Sequence, residues 1–357
     1  MRLKKYLNKE VLLASSAVLS ILLLIFSSQQ FVRFLGDVVD GKIAPSLLIG
    51  MVALQMPPLV GFLLPLGFFL GILLAFGQLY VENELTVARS VGIGNVALAK
   101  MLLPMGLTFT FIAAFFSLWV APWAASTQQD LLDEQKSRSE LSFLTPGRFQ
   151  VTSDGSGVMY AAQVANDNEL RQIFFARLPD EELKSWKIIS AESGKAKSLN
   201  QRNQLVLTSG QRYDLPVNDL SWSIMGFEQY QMTLPVQVDE VGKGKLKSVA
   251  TLDLLSDLSQ EHWAEFHWRL AIPLSILLLM LAAVPLSRVE PRQGKFAKML
   301  PAILIYMSYM ILIILTRGLI EDGKLPGVLG MWWVHFGFLA YALWQYRHSH
   351  RKHKKKR

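Results

Sequence analysis

The 357-residue sequence contains no cysteine, so no disulfide framework supports any part of it, and a folded segment outside a membrane must rest on its own apolar core. It is also short of charge. Asp, Glu, Lys and Arg together make up 18% of the residues against 51% hydrophobic, and the mean hydropathy is +0.29, which excludes a disordered chain and an ordinary soluble domain. Acid is the scarcer sign, 28 residues against 36 basic, for a formal net charge of +8. No P-loop, zinc-ligand spacing, G-x-S-x-G element or pair of carboxylates stands where chemistry would need it, so the sequence names no catalytic residue and no cofactor. Its histidines do not form a metal set either: His262 and His267 stand at i, i+5, and His348, His350 and His353 belong to a basic tail.

What is present is long apolar runs. They cover 11–35, 47–77, 101–121, 268–286, 299–317 and 329–346, each close to the roughly 20 residues that cross a bilayer, so the sequence predicts six spans, three on either side of a long polar block. The first run is too long for a cleaved signal and has no small-residue site after it, so it is expected to stay as a span. Arg2, Lys4, Lys5, Lys9, Arg89, Lys100, Arg288, Arg292, Lys295, Lys298 and the tail from Arg347 fall on one side, and the opposite short loops hold only Lys42 and Lys324. Lys and Arg mark the inner side, which predicts both termini inside and the polar block exported. The basic tail lacks aromatic interleaving or a binding motif, so it reads as a headgroup contact and not as a nucleic-acid footprint.

The second run holds Pro57, Pro58, Gly61, Pro65, Gly67 and Gly71, a helix that needs packed neighbours. The third is expected to end at Pro122 and Trp123, and Ala124 to Leu141 reads as a polar helix or linker. From Arg148 the period changes to two. Strand patterns at 148–152, 158–164, 170–178, 187–193, 204–209 and 221–234, with turn residues at Asp154 to Gly157, Asn166 to Asn168, and Ser209 with Gly210, predict an antiparallel sandwich, jelly roll or barrel. Gly242 to Gly244 reads as a hinge before the fourth span.

Between the second and third runs lies the polar stretch Gln78 to Lys100. Val81, Leu85 and Ala88 recur at i, i+4, i+7, Glu82 and Glu84 stand at the start, and Gly92 and Gly94 stop the pattern, which predicts a short helix. Helices that lie on an anionic leaflet carry Lys and Arg, so two glutamates favour a protein partner over lipid, with a plain surface turn as the alternative. Helix arithmetic puts Arg33 about 33 Å along the first span and Arg317 about 27 Å along the fifth, both at the outer interface. Snorkelling anchors and readers of an anionic headgroup both fit that position.

The order three spans, β domain, three spans, together with GQLYVENELTVARSVGIG at 77–94, WAEFHWRL at 263–270, VPLSRVEPRQGKFAKMLPA at 284–302 and the basic tail, resembles the lipopolysaccharide export permeases of the LptF/LptG family across essentially the whole chain. The resemblance implies an α-helical membrane protein with an inserted periplasmic jelly roll, divided as 1–122, 123–262 and 263–357. It implies an inner-membrane exporter subunit that extracts lipopolysaccharide, with ATP hydrolysed by a separate LptB dimer, a second permease subunit (LptG) as heterodimer partner, and LptC and LptA continuing the periplasmic bridge. On the matching positions it implies a coupling helix at 82–91 with Glu82, Glu84, Leu85, Ala88 and Arg89 meeting the ATPase, and substrate contacts at Arg33, Arg317, Gln30 and Phe26. Gln30 stands where some members have lysine. Phe149, Val158, Tyr160, Ile173 and Phe175 are then expected to line a path for acyl chains through the β domain, although ordinary core packing gives the same alternation.

Overall fold

The computed structural model describes residues 2–40, 43–138, 147–151, 157–164, 169–179, 185–199, 202–216, 221–233, 246–257, 259–289, 294 and 296–354. The chain forms two compact units, one of residues 1–33, 49–128 and 243–357, the other of residues 34–48 and 129–242.

In the first unit the apolar runs are helices: α1 (Arg2–Val39), α2 (Leu48–Val81), α4 (Asn95–Phe115), α6 (Gln260–Leu286) and α7 (Met299–Glu321), with the short α3 (Glu84–Ser90) between α2 and α4. Among the described residues five helical stretches are long and apolar enough to cross a membrane, and the sixth expected span is not among them. It does form a helix, α8 (Trp332–Lys354), in which His335, Gln345, Arg347 and His348 dilute the apolar character.

The core gathers on α2. Phe68, Phe69, Ile72, Phe76 and Leu79 pack with Leu98 and Leu102 of α4, Leu279 and Ala283 of α6, and Tyr306 of α7. Three prolines remain inside α2 without ending it, because neighbouring helices enclose it. Helix α1 joins through one half. Leu7, Val11 and Ser15 are buried at i, i+4, i+8, against the side of α2 where Gly67 and Gly71 stand, and a Cβ on Gly71 would lie 2.6 Å from the Cα of Ser15. Beyond Leu19 the helix exposes Ile21, Leu24, Ile25, Phe31 and Val32.

The expected stop at Pro122 is not observed. Helix α4 passes through a π-helical turn, Phe116–Val120, into α5 (Ala121–Arg138). The wider turn accommodates the proline ring, which would clash with a regular helix turn before it.

The second unit is built on six strands, β1 (Gln150–Val151), β2 (Gly157–Val164), β3 (Glu169–Arg177), β4 (Ser185–Leu199), β5 (Arg202–Pro216) and β6 (Ser223–Thr233), all antiparallel and in consecutive order. The turn residues Asp154 to Ser156 and Asn166 to Asn168, and the hinge at Gly242 to Gly244, lie outside the described residues. Among the described strands the topology is a meander, with no Greek-key crossover.

Ser209 and Gly210 are not a turn. They sit in the middle of β5, at a line where each of the four ladders from β2 to β6 skips one pair without changing register: Ala161 pairs Ile173 and Gln163 pairs Arg171; Ile173 pairs Ala191 and Arg171 pairs Ser193; Ala191 pairs Gly210 and Ser193 pairs Thr208; Gly210 pairs Phe227 and Thr208 pairs Gln229. Gln172 and Ser209 on that line have φ of 51° and 52°. The apolar step changes there from two residues to three, Leu170 to Ile173 and Leu207 to Gly210, which leaves two consecutive residues of each strand pointing outward. The sheet is creased along this line, and both sides share one core of Leu170, Leu205, Leu207, Ile173, Phe175 and Ile189. Gly194 is glycine for the same reason: a Cβ there would lie 2.7 Å from Ile173 Cδ1.

Candidate functional site

Helix α3 follows a reversal at Asn83, whose φ is 65°. It ends in a Schellman arrangement in which Gly92 N–H donates to Arg89 O and Ile93 N–H to Ala88 O, with Gly92 at φ 96° as the left-handed C′ residue. The helix has two distinct faces. Leu85 is 1% exposed and packs into the core of the spans, and Arg89 turns inward, donating to Asn95 Oδ1 at 2.6 Å and Tyr80 Oη at 3.3 Å. Glu84, Val87 and Val91 point outward, the two valines 61% and 79% exposed. Of the residues expected to couple, Leu85 and Arg89 therefore fasten the helix to its own spans, and Ala88 is half-buried between the two faces. Val87 and Val91 were missed because apolar residues at i, i+4 read as an inward stripe, whereas the inward stripe is Val81, Leu85 and Ala88. Glu82 is exposed and accepts from Gln78 Nε2, and Glu84 accepts from Tyr6 Oη of α1 at 3.4 Å.

Phe26, Gln30 and Arg33 recur at i, i+4, i+7 and share one face of α1, with Arg33 exposed. Arg317 is differently placed. Its Nη2 donates to Glu265 Oε2 and its Nε to Glu321 Oε1, both at 2.8 Å, and its guanidinium lies 5.2 Å from the centre of the Trp268 ring. Two carboxylates and an aromatic face hold it in one geometry, so it is not a bare cation on a surface. Glu265, in turn, also accepts from Arg269 Nε at 2.9 Å. The sequence marks Glu265 and Arg269 only as part of the string WAEFHWRL at 263–270 and by their i, i+4 spacing, and gives neither a role. That spacing reads as a surface pair until the apolar neighbours of both are counted.

The five β-domain residues do not share a face. Antiparallel register opposes Met159 to Phe175 and Ala161 to Ile173, and opposes Val158 to Ala176 and Tyr160 to Phe174. Ile173 and Phe175 accordingly face the creased core, whereas Val158 and Tyr160 lie on the other face, where Tyr160 packs against Phe149 with ring centres 4.8 Å apart and the rings tilted by 33°. The single set expected from alternation within each strand splits in two because the pairing sum is even. Among the described residues no group of three His, Cys, Asp or Glu could hold a metal ion.

The lipopolysaccharide export system permease LptF/LptG family matches residues 5–348. The permease protein LptF of Escherichia coli K12 is 31% identical over 340 residues, covering 95% of this chain and 93% of the relative. LptF of Shigella flexneri gives the same identity and coverage. With the family matched over nearly its whole length, an outward-facing helix between its second and third long helices, and a β domain inserted between its two helical halves, the chain belongs to the LptF/LptG family of lipopolysaccharide export permeases.

Proposed function

We propose that this chain is the LptF-type permease subunit of an ATP-driven exporter in the inner membrane, drawing lipopolysaccharide from the bilayer while a separate LptB dimer hydrolyses ATP. In this reading six helices span the membrane, both termini lie inside, LptG is the partner permease, and the exported domain belongs to a jelly-roll bridge continued by LptC and LptA. The single observation that carries it is the split character of α3: Leu85 and Arg89 root the helix in the spans while Glu84, Val87 and Val91 face out, as a helix that transmits force between two proteins requires. Apolar side chains exposed at a helix end are costly in water and gain from a groove that covers them.

Phe26, Gln30 and Arg33 on α1, with Arg317 on α7, are the contacts for the substrate's headgroup, and the core side of the creased sheet, with Ile173 and Phe175, is the side toward acyl chains. Arg317 retains donors beyond those given to Glu265 and Glu321, and guanidinium binds phosphate in a fork.

Affinity purification of the complex tests the docking face. Glu84→Ala should lower LptB retention by roughly tenfold or more, about 1.5 to 3 kcal/mol for a lost charge-assisted contact, and Val87→Asp, which sets an unpaired charge against an apolar groove, should lower it as well, with the spans intact. Full LptB retention and unchanged export in both variants would remove α3 from the mechanism.

A further inference from the structure

A proline within a helix deprives the carbonyl four residues earlier of its amide partner. Pro122 does this to Leu118, inside the π-helical turn, and the hydroxyl of Thr251 donates to that carbonyl. Thr251 belongs to the first described stretch after the sheet, and Arg269 of α6 holds that stretch in place. Its Nη1 donates to Val249 O at 2.9 Å and to Thr251 Oγ1 at 2.8 Å, and its Nη2 to Leu246 O at 3.0 Å and Lys247 O at 3.2 Å. Its Nε donates to Glu265 Oε1. A guanidinium has five N–H groups, so every donor of Arg269 is committed, four of them to residues 246–251.

Glu265 therefore stands between two arginines with different duties. One oxygen serves Arg269, which is buried, and the other serves Arg317, whose side chain is 21% exposed and open to a ligand. We propose that Glu265 is a positioning residue that couples anionic occupancy at Arg317 to the grip of Arg269 on residues 246–251. The inference rests on the reading of Arg317 as a contact for the phosphates of the substrate.

The coupling follows from donor supply. A phosphate that forks onto the Nη1 and Nη2 groups of Arg317 draws on the same Nη2 that serves Glu265, and its charge competes with that carboxylate for the guanidinium. The displaced carboxylate oxygen is buried and requires a new donor. Arg269 is the neighbour that has donors, and each N–H it turns to Glu265 is withdrawn from a carbonyl or hydroxyl of 246–251. Phosphate at Arg317 thus loosens the segment. Linkage makes the effect reciprocal: a pull that strips Arg269 from the segment supplies Glu265 with a donor and leaves Arg317 more available to phosphate.

The chain has no cysteine, so one introduced by Lys247→Cys carries a nitroxide at a single exposed position whose carbonyl accepts from Arg269. The measurement uses the full complex in nanodiscs, with lipopolysaccharide bearing phosphorylated lipid A, the same lipid dephosphorylated, or inorganic phosphate. Phosphorylated lipid should raise the ratio of mobile to immobile spectral components by roughly fivefold or more, and dephosphorylated lipid should leave it unchanged. A response to inorganic phosphate alone also supports the coupling and assigns the ligand chemistry to the phosphate rather than the lipid. In Glu265→Gln the lipid should still bind but the label should no longer respond. If that variant does not assemble, Glu265→Asp, whose shorter carboxylate reaches one arginine at a time, should show the same loss of response. A response equal to the parent's in either assembled variant overturns the proposal, as does a silent parent label when Arg317→Ala lowers lipid affinity. Unchanged lipid affinity in Arg317→Ala instead overturns the reading of Arg317, and the coupling with it.

Discussion

Glu84 and Glu265 are both glutamates near the start of a helix, and their surroundings give them opposite work. Glu84 is exposed on α3 beside two exposed valines, whereas Glu265 is buried with both oxygens engaged by arginines. Spacing in the sequence could place each on a helix, but it could not report burial, which depends on what other elements bring to the same spot. Leu85 and Val87 show the same limit. Leu85→Ala should cost about 2 to 5 kcal/mol through transfer and cavity effects and lower the midpoint of thermal unfolding in detergent, because its side chain is fully enclosed. Val87→Ala removes exposed surface and should leave that midpoint within error while reducing LptB retention. The reverse pattern would show that Val87 is the rooted residue.

At the scale of elements the long helices and all six strands were legible, β5 only as far as Ser209, because period 3.6 and period two mark each of them. The crease was not legible. It consists of one residue per strand aligned across five strands, and alignment is a property of register that no single strand carries. Ser209 with Gly210 gave the local signal of a chain reversal, and the sheet answers it with a fold across the strands. Gln172 holds φ of 51° on that line, so Gln172→Val should destabilise the domain by about 1 to 2 kcal/mol while Gln172→Gly is tolerated, as denaturant unfolding followed by tryptophan emission would report. Equal midpoints for the two variants would remove the crease from the account of stability. The contact between α1 and α2 makes a similar contrast. Gly71→Ala drives a methyl into Ser15 and should lower thermal stability, whereas Gly50→Ala, which meets nothing within 4 Å, should be neutral or stabilise by about 0.4 to 1 kcal/mol. A loss of the same size at both glycines would mean that helix propensity, and not close approach, governs α2.

For the whole molecule the open matter is parity. Five stretches that qualify as spans would leave the two ends of the chain on opposite sides of the membrane, and six would leave them on the same side. Helix α8 has 23 residues, about 34 Å of helix, enough to cross. Trp332 and Trp333 stand at its start, as interfacial aromatics do, and Arg347 begins a basic run at its end. Its polar residues are partly accounted for within the fold: His335 and Tyr309 of α7 share a buried hydrogen bond at 3.0 Å, which lessens the cost of burying both groups. The basic run is the stronger argument, since carrying so many cations across a bilayer is opposed by the same bias that, in the proposed arrangement, favours Lys4 and Lys5 on the inner side. Single cysteines at Lys4, Leu252 and Arg347, all exposed in a chain free of other cysteines, separate the two arrangements. With a membrane-impermeant maleimide applied to intact spheroplasts, Leu252→Cys should be labelled, and Lys4→Cys and Arg347→Cys should be labelled only after the membrane is opened. Labelling of Arg347→Cys in intact spheroplasts would show that α8 stays on the outer face, and that the basic tail faces the same compartment as the sheet.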